Sequence, residues 1–238
     1  IQLLSARFGT SIVGALVPSY LRAPTYNDGV ATISDRVVIQ LWNTNVITRI
    51  IALEEALAEE FDGDVSIAGL IGGETSLGNV SQLSAFGYST SSFLTQLQRR
   101  ASANRIAWPN TPVIVFANFF TGMSATQIQS LYEHLELVGV GCGGPDIYPN
   151  NPTTGQEYHM GLLGSQDYRG AIPSGYANQT ASVEGWSISQ LHAYARDTLT
   201  ANFMFTLKSG TSLTSWAATK AYIDANPLMN STLPTVYT

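Results

Sequence analysis

The stretch VSIAGLIGGETSLG, residues 65–78, decides the fold that this sequence predicts. Its apolar run at 67–71 carries no charge, which is typical of a parallel strand buried on both faces. The glycines at the end of the run allow the backbone to turn sharply, and the turn delivers one carboxylate, Glu74. A carboxylate in this position lies where α/β barrels build their active sites. The alternative is a helix N-cap, in which residues 74–76 hold backbone N–H groups.

Strand and helix patterns alternate along the rest of the chain. Strands are predicted at residues 1–4, 65–71, 113–120, 138–142, 176–182 and 202–207. Helices are predicted at residues 45–61, 91–103, 125–137, 187–200 and 215–225. Such alternation indicates a parallel sheet whose strands are joined by helical crossovers, and hence the α/β class.

The segment before the first helix is predicted to be a long loop, residues 5–44, because it is rich in Gly, Pro, Ser and Thr. Long loops in compact domains are usually functional. Trp42 in this loop is a candidate to line a sugar site, since the C–H faces of sugars pack on aromatic rings. The alternative is that Trp42 only anchors the loop to the core.

The first predicted helix has one apolar stripe at spacings of three and four residues, formed by Val46, Ile50, Leu53, Leu57 and Phe61. Its glutamates are expected on the solvated side of the helix, and Glu54 is one of them. The helix then turns at residues 61–64 into the strand that leads to Glu74.

Composition excludes several classes of function. The chain has 238 residues, of which 45% are hydrophobic and 12% charged, with a net charge of −6. Eleven basic residues are too few for the basic face that nucleic acid requires, and no apolar run is long enough to span a membrane. The single cysteine and three scattered histidines predict neither a disulfide nor a zinc site, so no cofactor is expected. Few lysines and many small polar residues favour a secreted or extracytoplasmic protein.

Three carboxylates follow predicted strand ends: Glu74, Asp146 and Glu184. Two carboxylates can divide the roles of acid and nucleophile, which is what glycoside hydrolysis needs. A serine esterase of the α/β type would show a GxSxG elbow, and the sequence has none. Two of these carboxylates have an alternative interpretation. Asp146 could form an Asx-turn within its loop. Glu184 could lie in the first turn of the next helix and complement the helix dipole, in which case Gln179 would face the site instead.

The order of elements and the two strand ends that carry Glu74 and Glu184 resemble the (β/α)8-barrel glycoside hydrolases of clan A. In that clan, a Glu after the fourth strand is the acid/base and a Glu after the seventh is the nucleophile. With the strand at 202–207 as the eighth, Glu74 and Glu184 occupy those two places. The resemblance implies a TIM-barrel-like parallel β/α barrel that is partial, about six β/α units, and lacks the first two. Residues 1–238 would form this single domain.

The function implied by the resemblance is a retaining glycosidase that acts on a β-linked sugar. The residues expected to bind this carbohydrate substrate are Trp42, Asn118, Asp146, Tyr148, Gln179 and Trp186. A second hypothesis is a non-catalytic carbohydrate-binding or remnant barrel, because Gly73 stands where the clan commonly has Asn before its acid/base. A third is a hydrolase of another class.

A barrel with six strands has two open edges, which proteins normally protect. Three arrangements would resolve this. The chain is a fragment of a longer gene, or a homo-oligomer closes the sheet, or residues 5–44 and the C-terminal tail cover the edges.

Overall fold

Two β-sheets organise the part of the chain that the computed structural model describes, namely residues 6–8, 18–34, 36–145, 147, 149, 171–178, 186–206, 216–227 and 229. The first sheet contains β1 (Ala6–Phe8), β2 (Val30–Ile33) and β3 (Arg36–Ile39), and its order is β1-β3-β2 with antiparallel pairing. The second contains β4 (Leu70–Ile71), β5 (Val113–Phe116), β6 (Gly141–Gly144), β7 (Ser174–Asn178) and β8 (Phe203–Thr206).

The helices lie mainly in the connections of the second sheet. They are α1 (Thr44–Phe61), α2 (Val80–Leu83), α3 (Thr90–Ala107), α4 (Ala125–Val138), α5 (Ile188–Ala193) and α6 (Trp216–Ala225). Shorter helical turns lie at Ser19–Arg22, Pro24–Tyr26 and Ser84–Phe86, and a π-helical turn at Tyr194–Thr198 continues α5.

The five-stranded sheet follows the order of the chain, β4-β5-β6-β7-β8, and every neighbouring pair is parallel. α3 lies between β4 and β5 in the chain, α4 between β5 and β6, and α5 between β7 and β8. The sheet curls into a half-barrel, which makes this an α/β fold. The α/β class predicted from alternating strands and helices is therefore confirmed. The first predicted strand, residues 1–4, lies outside the described residues.

The predicted loop at residues 5–44 is wrong for Ala6–Phe8, which forms β1, and for Val30–Ile33 and Arg36–Ile39, where β2 and β3 form a hairpin. Ile33 pairs with Arg36 beside the turn, and Val30 pairs with Ile39 at the other end. Val30 and Val38 are almost completely buried. Each strand is only four residues long and is flanked by Gly, Asp and Ser, so the alternation typical of strands was too short to stand out.

The buried face of α1 also differs from the predicted stripe. Leu53, predicted in the core, is 51% exposed, whereas Glu54, predicted in solvent, is 0% exposed. The buried residues of the helix are Val46, Ile47, Ile51, Glu54 and Ala58. The prediction failed because it assigned every acidic residue to solvent, although Arg100 of α3 pairs with Glu54 inside the fold.

Glycines in β6 and β7 make room for side chains that reach across the half-barrel from β5 and β8. A Cβ atom added to Gly175 would lie 2.9 Å from the ring of Phe205 and 3.0 Å from Ile114. A Cβ atom added to Gly143 would lie 1.7 Å from the carbonyl oxygen of Gly175. The rings of Phe116 and Phe205 meet edge to face, with centroids 6.4 Å apart. Strands two and three places apart in the sheet therefore approach each other, as a strong curl requires.

Two hydrophobic clusters form the described core. The large cluster runs from the antiparallel sheet through α1, α3 and α4 to the first strands of the half-barrel. The small cluster lies around β7, α5 and the π-helical turn, and its buried members are Ile147, Tyr176, Ile188, Leu191, Ala195, Leu199 and Ala201. Among the helices of the described segments, none is long and apolar enough to cross a membrane.

Candidate functional site

The carboxyl ends of β4 and β5 bring two predicted site residues into direct contact. These strands are parallel neighbours, with Ile71 in register with Ile114. Glu74 follows the end of β4, and Asn118 follows the end of β5. The side-chain amide of Asn118 donates a hydrogen bond to Glu74 Oε2 over 2.9 Å. The structure thus assembles an amide and a carboxylate at the edge where parallel α/β folds place their ligands.

Thr75 fixes the position of this pair. Its hydroxyl donates to the carbonyl oxygen of Asn118 over 2.7 Å and accepts from the backbone N–H of Asn118, also over 2.7 Å. The side chain of Thr75 is buried, with the residue 1% exposed. Both backbone groups of Asn118 are therefore satisfied by the residue that follows Glu74, so the two loops keep a defined relative position.

A second threonine strengthens the same connection. The Thr121 hydroxyl accepts from the backbone N–H of Leu77 over 2.7 Å and donates to the carbonyl oxygen of Thr75 over 3.3 Å. The phenol of Tyr88 donates to the carbonyl oxygen of Thr121. Burial raises the pKa of Tyr88, which keeps this phenol protonated as a donor. The turn at residues 118–121 is thus held at both of its ends.

Phe119 lies within this turn and has an unusual backbone. Its φ angle is +51°, in the left-handed region that bulky residues rarely adopt. Its ring is exposed, with 53% of the residue surface accessible, whereas the next residue, Phe120, is buried. The turn thus combines a left-handed backbone at Phe119 with a half-exposed residue surface, next to the Glu74–Asn118 pair.

The N-cap interpretation of residues 74–76 does not describe the helix that follows. α2 is capped by Asn79, whose side chain accepts from the backbone N–H of Ser81 over 2.9 Å.

A buried ion pair lies behind the loop that carries Glu74. The Nε atom of Arg100 donates to the two carboxylate oxygens of Glu54 over 3.0 and 3.1 Å, and its Nη2 atom makes a further bond. A Cβ atom added to Gly72 would lie 3.6 Å from Arg100 Nη2. The guanidinium therefore packs directly against the backbone between β4 and Glu74.

Of the remaining predicted site residues, two are described by the structure and four are not. Trp42 is 5% exposed, its indole N–H donates to the Phe86 carbonyl over 3.0 Å, and its ring packs edge to face on Tyr88. These contacts are those of a core residue. Trp186 is half-buried against the small cluster, just before the N-cap of α5. The others lie outside the described residues, namely Glu184, Asp146, Tyr148 and Gln179.

A Ser–His hydrogen bond between α3 and α4 bears on the hypothesis of a hydrolase of another class. His134 Nε2 lies 2.9 Å from the Ser102 hydroxyl and 3.0 Å from the carbonyl oxygen of Gln98. A carbonyl oxygen only accepts, so this nitrogen carries the hydrogen when it bonds to Gln98. A protonated Nε2 cannot take the serine proton, and the pair is best explained as packing between two helices.

The sequence predicted Glu74 and Asn118 as site residues, and the structure places them in contact, but Thr75, Thr121 and Phe119 were not singled out from the sequence. For Thr75, the only signal in the sequence was its position directly after Glu74. For Phe119, the only signal was its position directly after Asn118. Among the described residues, no group of three or more His, Cys, Asp or Glu could hold a metal ion.

A scan against models of protein families finds no match, and a search of curated proteins also finds none.

Proposed function

We propose that the protein is a retaining glycoside hydrolase built on a partial (β/α)8-type barrel and acting on a β-linked sugar. The observation that carries the proposal is the hydrogen bond from Asn118 to Glu74, at the carboxyl ends of adjacent parallel strands. In this proposal Glu74 is the acid/base, and Glu184 is the nucleophile.

The chemistry assigned to Glu74 has two steps. As an acid it protonates the glycosidic oxygen while the nucleophile attacks the anomeric carbon, and as a base it then activates the water that hydrolyses the glycosyl-enzyme. Both steps require one carboxyl oxygen to keep its direction towards the scissile bond. The bond to Asn118 Nδ2 restricts rotation of the Glu74 carboxylate, and the Thr75 hydroxyl holds Asn118 in turn.

The test is hydrolysis of a panel of aryl β-glycosides by the wild type and by Glu74→Gln and Glu184→Gln. Glu59→Gln is the matched control, because Glu59 is exposed on α1. We expect both site variants to lose nearly all turnover while remaining folded, and the control to keep it. A small nucleophile such as azide should restore turnover to Glu184→Ala, which leaves space for it, on substrates with good leaving groups. Full turnover by Glu74→Gln would contradict the proposal.

The second candidate is a carbohydrate-binding protein without catalysis. It is favoured by Gly73, which stands in the position where clan A enzymes commonly carry Asn before the acid/base. The same variants separate the two functions. A binding protein would retain sugar affinity and show no turnover of any substrate in the panel.

A further inference from the structure

Three tripeptides of the chain match the acceptor sequence for N-linked glycosylation, Asn-X-Ser/Thr. They begin at Asn79 (NVS), Asn178 (NQT) and Asn230 (NST). Such tripeptides also arise by chance, so burial and side-chain geometry decide which of them can carry a glycan. The structure describes the first two asparagines and separates them clearly, whereas Asn230 lies outside the described residues.

The tripeptide at Asn79 lies on the surface of the fold. Its three residues, Asn79, Val80 and Ser81, are all exposed, and they lie where the loop after β4 enters α2. A glycan is bulky and hydrophilic, so it requires a position of this kind.

The side chain of Asn79 presents its nitrogen for modification. Its Oδ1 atom accepts from the backbone N–H of Ser81 over 2.9 Å and from the Ser81 hydroxyl over 2.8 Å. The Nδ2 atom, to which a glycan is joined, forms no hydrogen bond within the described part of the chain. A glycosylated asparagine loses one N–H and keeps its carbonyl oxygen. Both bonds to Ser81 therefore survive the modification.

The backbone on either side of this tripeptide is anchored in the core. Leu77 and Leu83 are both 0% exposed, and the backbone N–H of Leu77 donates to the Thr121 hydroxyl over 2.7 Å. A Cβ atom added to Gly122 would lie 2.5 Å from Val80 Cγ2, so α2 packs against the turn after β5. The tripeptide is thus an exposed position on a fixed segment, where a glycan displaces no core residue.

Asn178 lies in the opposite environment. It is the last residue of β7, in register with Thr206 of β8, and it is 0% exposed. Both amide atoms of its side chain are buried. Because protein interiors are closely packed, a glycan on this nitrogen would force the side chain out of the fold. The folded chain therefore excludes a glycan at the second tripeptide.

We propose that Asn79 is an N-linked glycosylation site and that Asn178 is unmodified in the folded protein. The donor is an oligosaccharide on a membrane-bound polyprenyl diphosphate. The Nδ2 atom attacks the anomeric carbon, a C–N bond forms, and the C–O bond to the diphosphate breaks. The polyprenyl diphosphate leaves with the electron pair of that bond, and the proton lost from Nδ2 passes to it. The inference is independent of the proposed function.

The experiment produces the chain behind a signal peptide in a eukaryotic secretory host. Peptide N-glycosidase in water labelled with heavy oxygen converts each glycosylated asparagine to a tagged aspartate, which peptide mass spectrometry locates. We expect the tag at Asn79 in most wild-type chains and no tag at Asn178 in the folded, secreted fraction. Asn79→Gln and Ser81→Ala should lose the tag at position 79. The matched controls Ser81→Thr and Thr180→Ala should keep it.

Chains retained in the cell are analysed in the same way, so poor secretion still gives a result. Wild-type chains without a tag at Asn79, in either fraction, would overturn the proposal. A tag at Asn178 in folded, secreted chains would overturn the exclusion of that site. A tag at Asn178 confined to retained chains, together with better secretion of Thr180→Ala, would support the exclusion, because it shows that this glycan and the fold are incompatible.

Discussion

Thr75 connects the two loops that carry Glu74 and Asn118. Its hydroxyl satisfies both the N–H and the carbonyl of Asn118, and all three groups are buried. Thr75→Val keeps the shape of the side chain but removes both bonds. We expect the free energy of unfolding to fall by about 1–3 kcal/mol, because buried backbone groups are left unpaired. Chemical denaturation measures this loss.

The control for this prediction is Thr75→Ser, which keeps the hydroxyl. It should recover most of the lost stability. If Thr75→Val were as stable as wild type, the hydroxyl would not be what connects the two loops.

Cys142 is the only cysteine, and the structure predicts that it is chemically inert. Burial raises the pKa of its thiol to about 12, and the thiol donates to the Tyr132 hydroxyl over 3.2 Å. The thiolate is the reactive form, and burial of the thiol strongly disfavours it near neutral pH. We expect no reaction with a disulfide reagent under native conditions and one thiol per chain in denaturant. Rapid native labelling would show that β6 is more open than described.

At the scale of single residues, the sequence predicted the part of the site that depends on strand ends. Glu74 and Asn118 each follow an apolar run, and parallel strands bring such positions to one edge of the sheet. Thr75 and Phe119 were missed because their roles depend on loop geometry. Nothing in the sequence around residues 117–121 specifies a φ angle of +51° at a phenylalanine.

At the scale of elements, the contact between α1 and α3 includes the buried Glu54–Arg100 ion pair. Glu54 is 0% exposed and Arg100 is 7% exposed. Arg100→Met would leave the Glu54 carboxylate buried and unpaired. We expect a loss of about 3–5 kcal/mol in the free energy of unfolding, measured by chemical denaturation.

The double variant Glu54→Leu/Arg100→Met provides the sharper comparison. Replacing a whole buried pair by apolar residues is often neutral or stabilising, so the double variant should be more stable than Arg100→Met alone. Lys220→Met is the control, because Lys220 pairs with Asp224 on the surface of α6 with both side chains more than half exposed. It should cost at most about 0.5 kcal/mol. If Lys220→Met lost as much stability as Arg100→Met, burial of the ion pair would not be what makes the Arg100 substitution costly.

The sequence predicted some elements of the fold correctly and others wrongly, and the pattern of charge and length in each element explains why. β5 was recognised because an uncharged β-branched run is typical of a parallel strand buried on both faces. Of the strand predicted at residues 65–71, only Leu70–Ile71 forms a strand. The buried face of α1 was predicted wrongly, because it includes the charge of Glu54, which is neutralised by Arg100, a partner distant in sequence. The hairpin of β2 and β3 was missed because its four-residue strands are too short for a clear periodicity.

At the scale of the whole molecule, the described core is divided between two clusters of unequal size. His192 lies at the edge of the small cluster, between α5 and α6, with its ring edge to face on Tyr222 at 5.6 Å. It is 3% exposed, and its Nδ1 atom is buried without a hydrogen bond. Burial lowers the pKa of His192, and the charge of Arg196 lowers it further, while Asp197 acts in the opposite direction.

This shift predicts that acid opens the small cluster first. Because the pKa of His192 is lower in the folded than in the unfolded chain, the unfolded chain binds more protons below about pH 6.5. The contribution of neutral His192 to the stability of the folded state is therefore complete above that pH. It is lost as the pH falls through the pKa of His192 in the folded chain. Hydrogen exchange, corrected for intrinsic rates, should show α5 losing protection on acidification while α3, within the large cluster, retains it. His192→Phe keeps the contact with Tyr222 without a titrating group, so α5 should then stay protected. Simultaneous loss of protection in α3 and α5 would instead mean that the two clusters unfold as one cooperative unit, because a local effect of His192 cannot open α3 by itself.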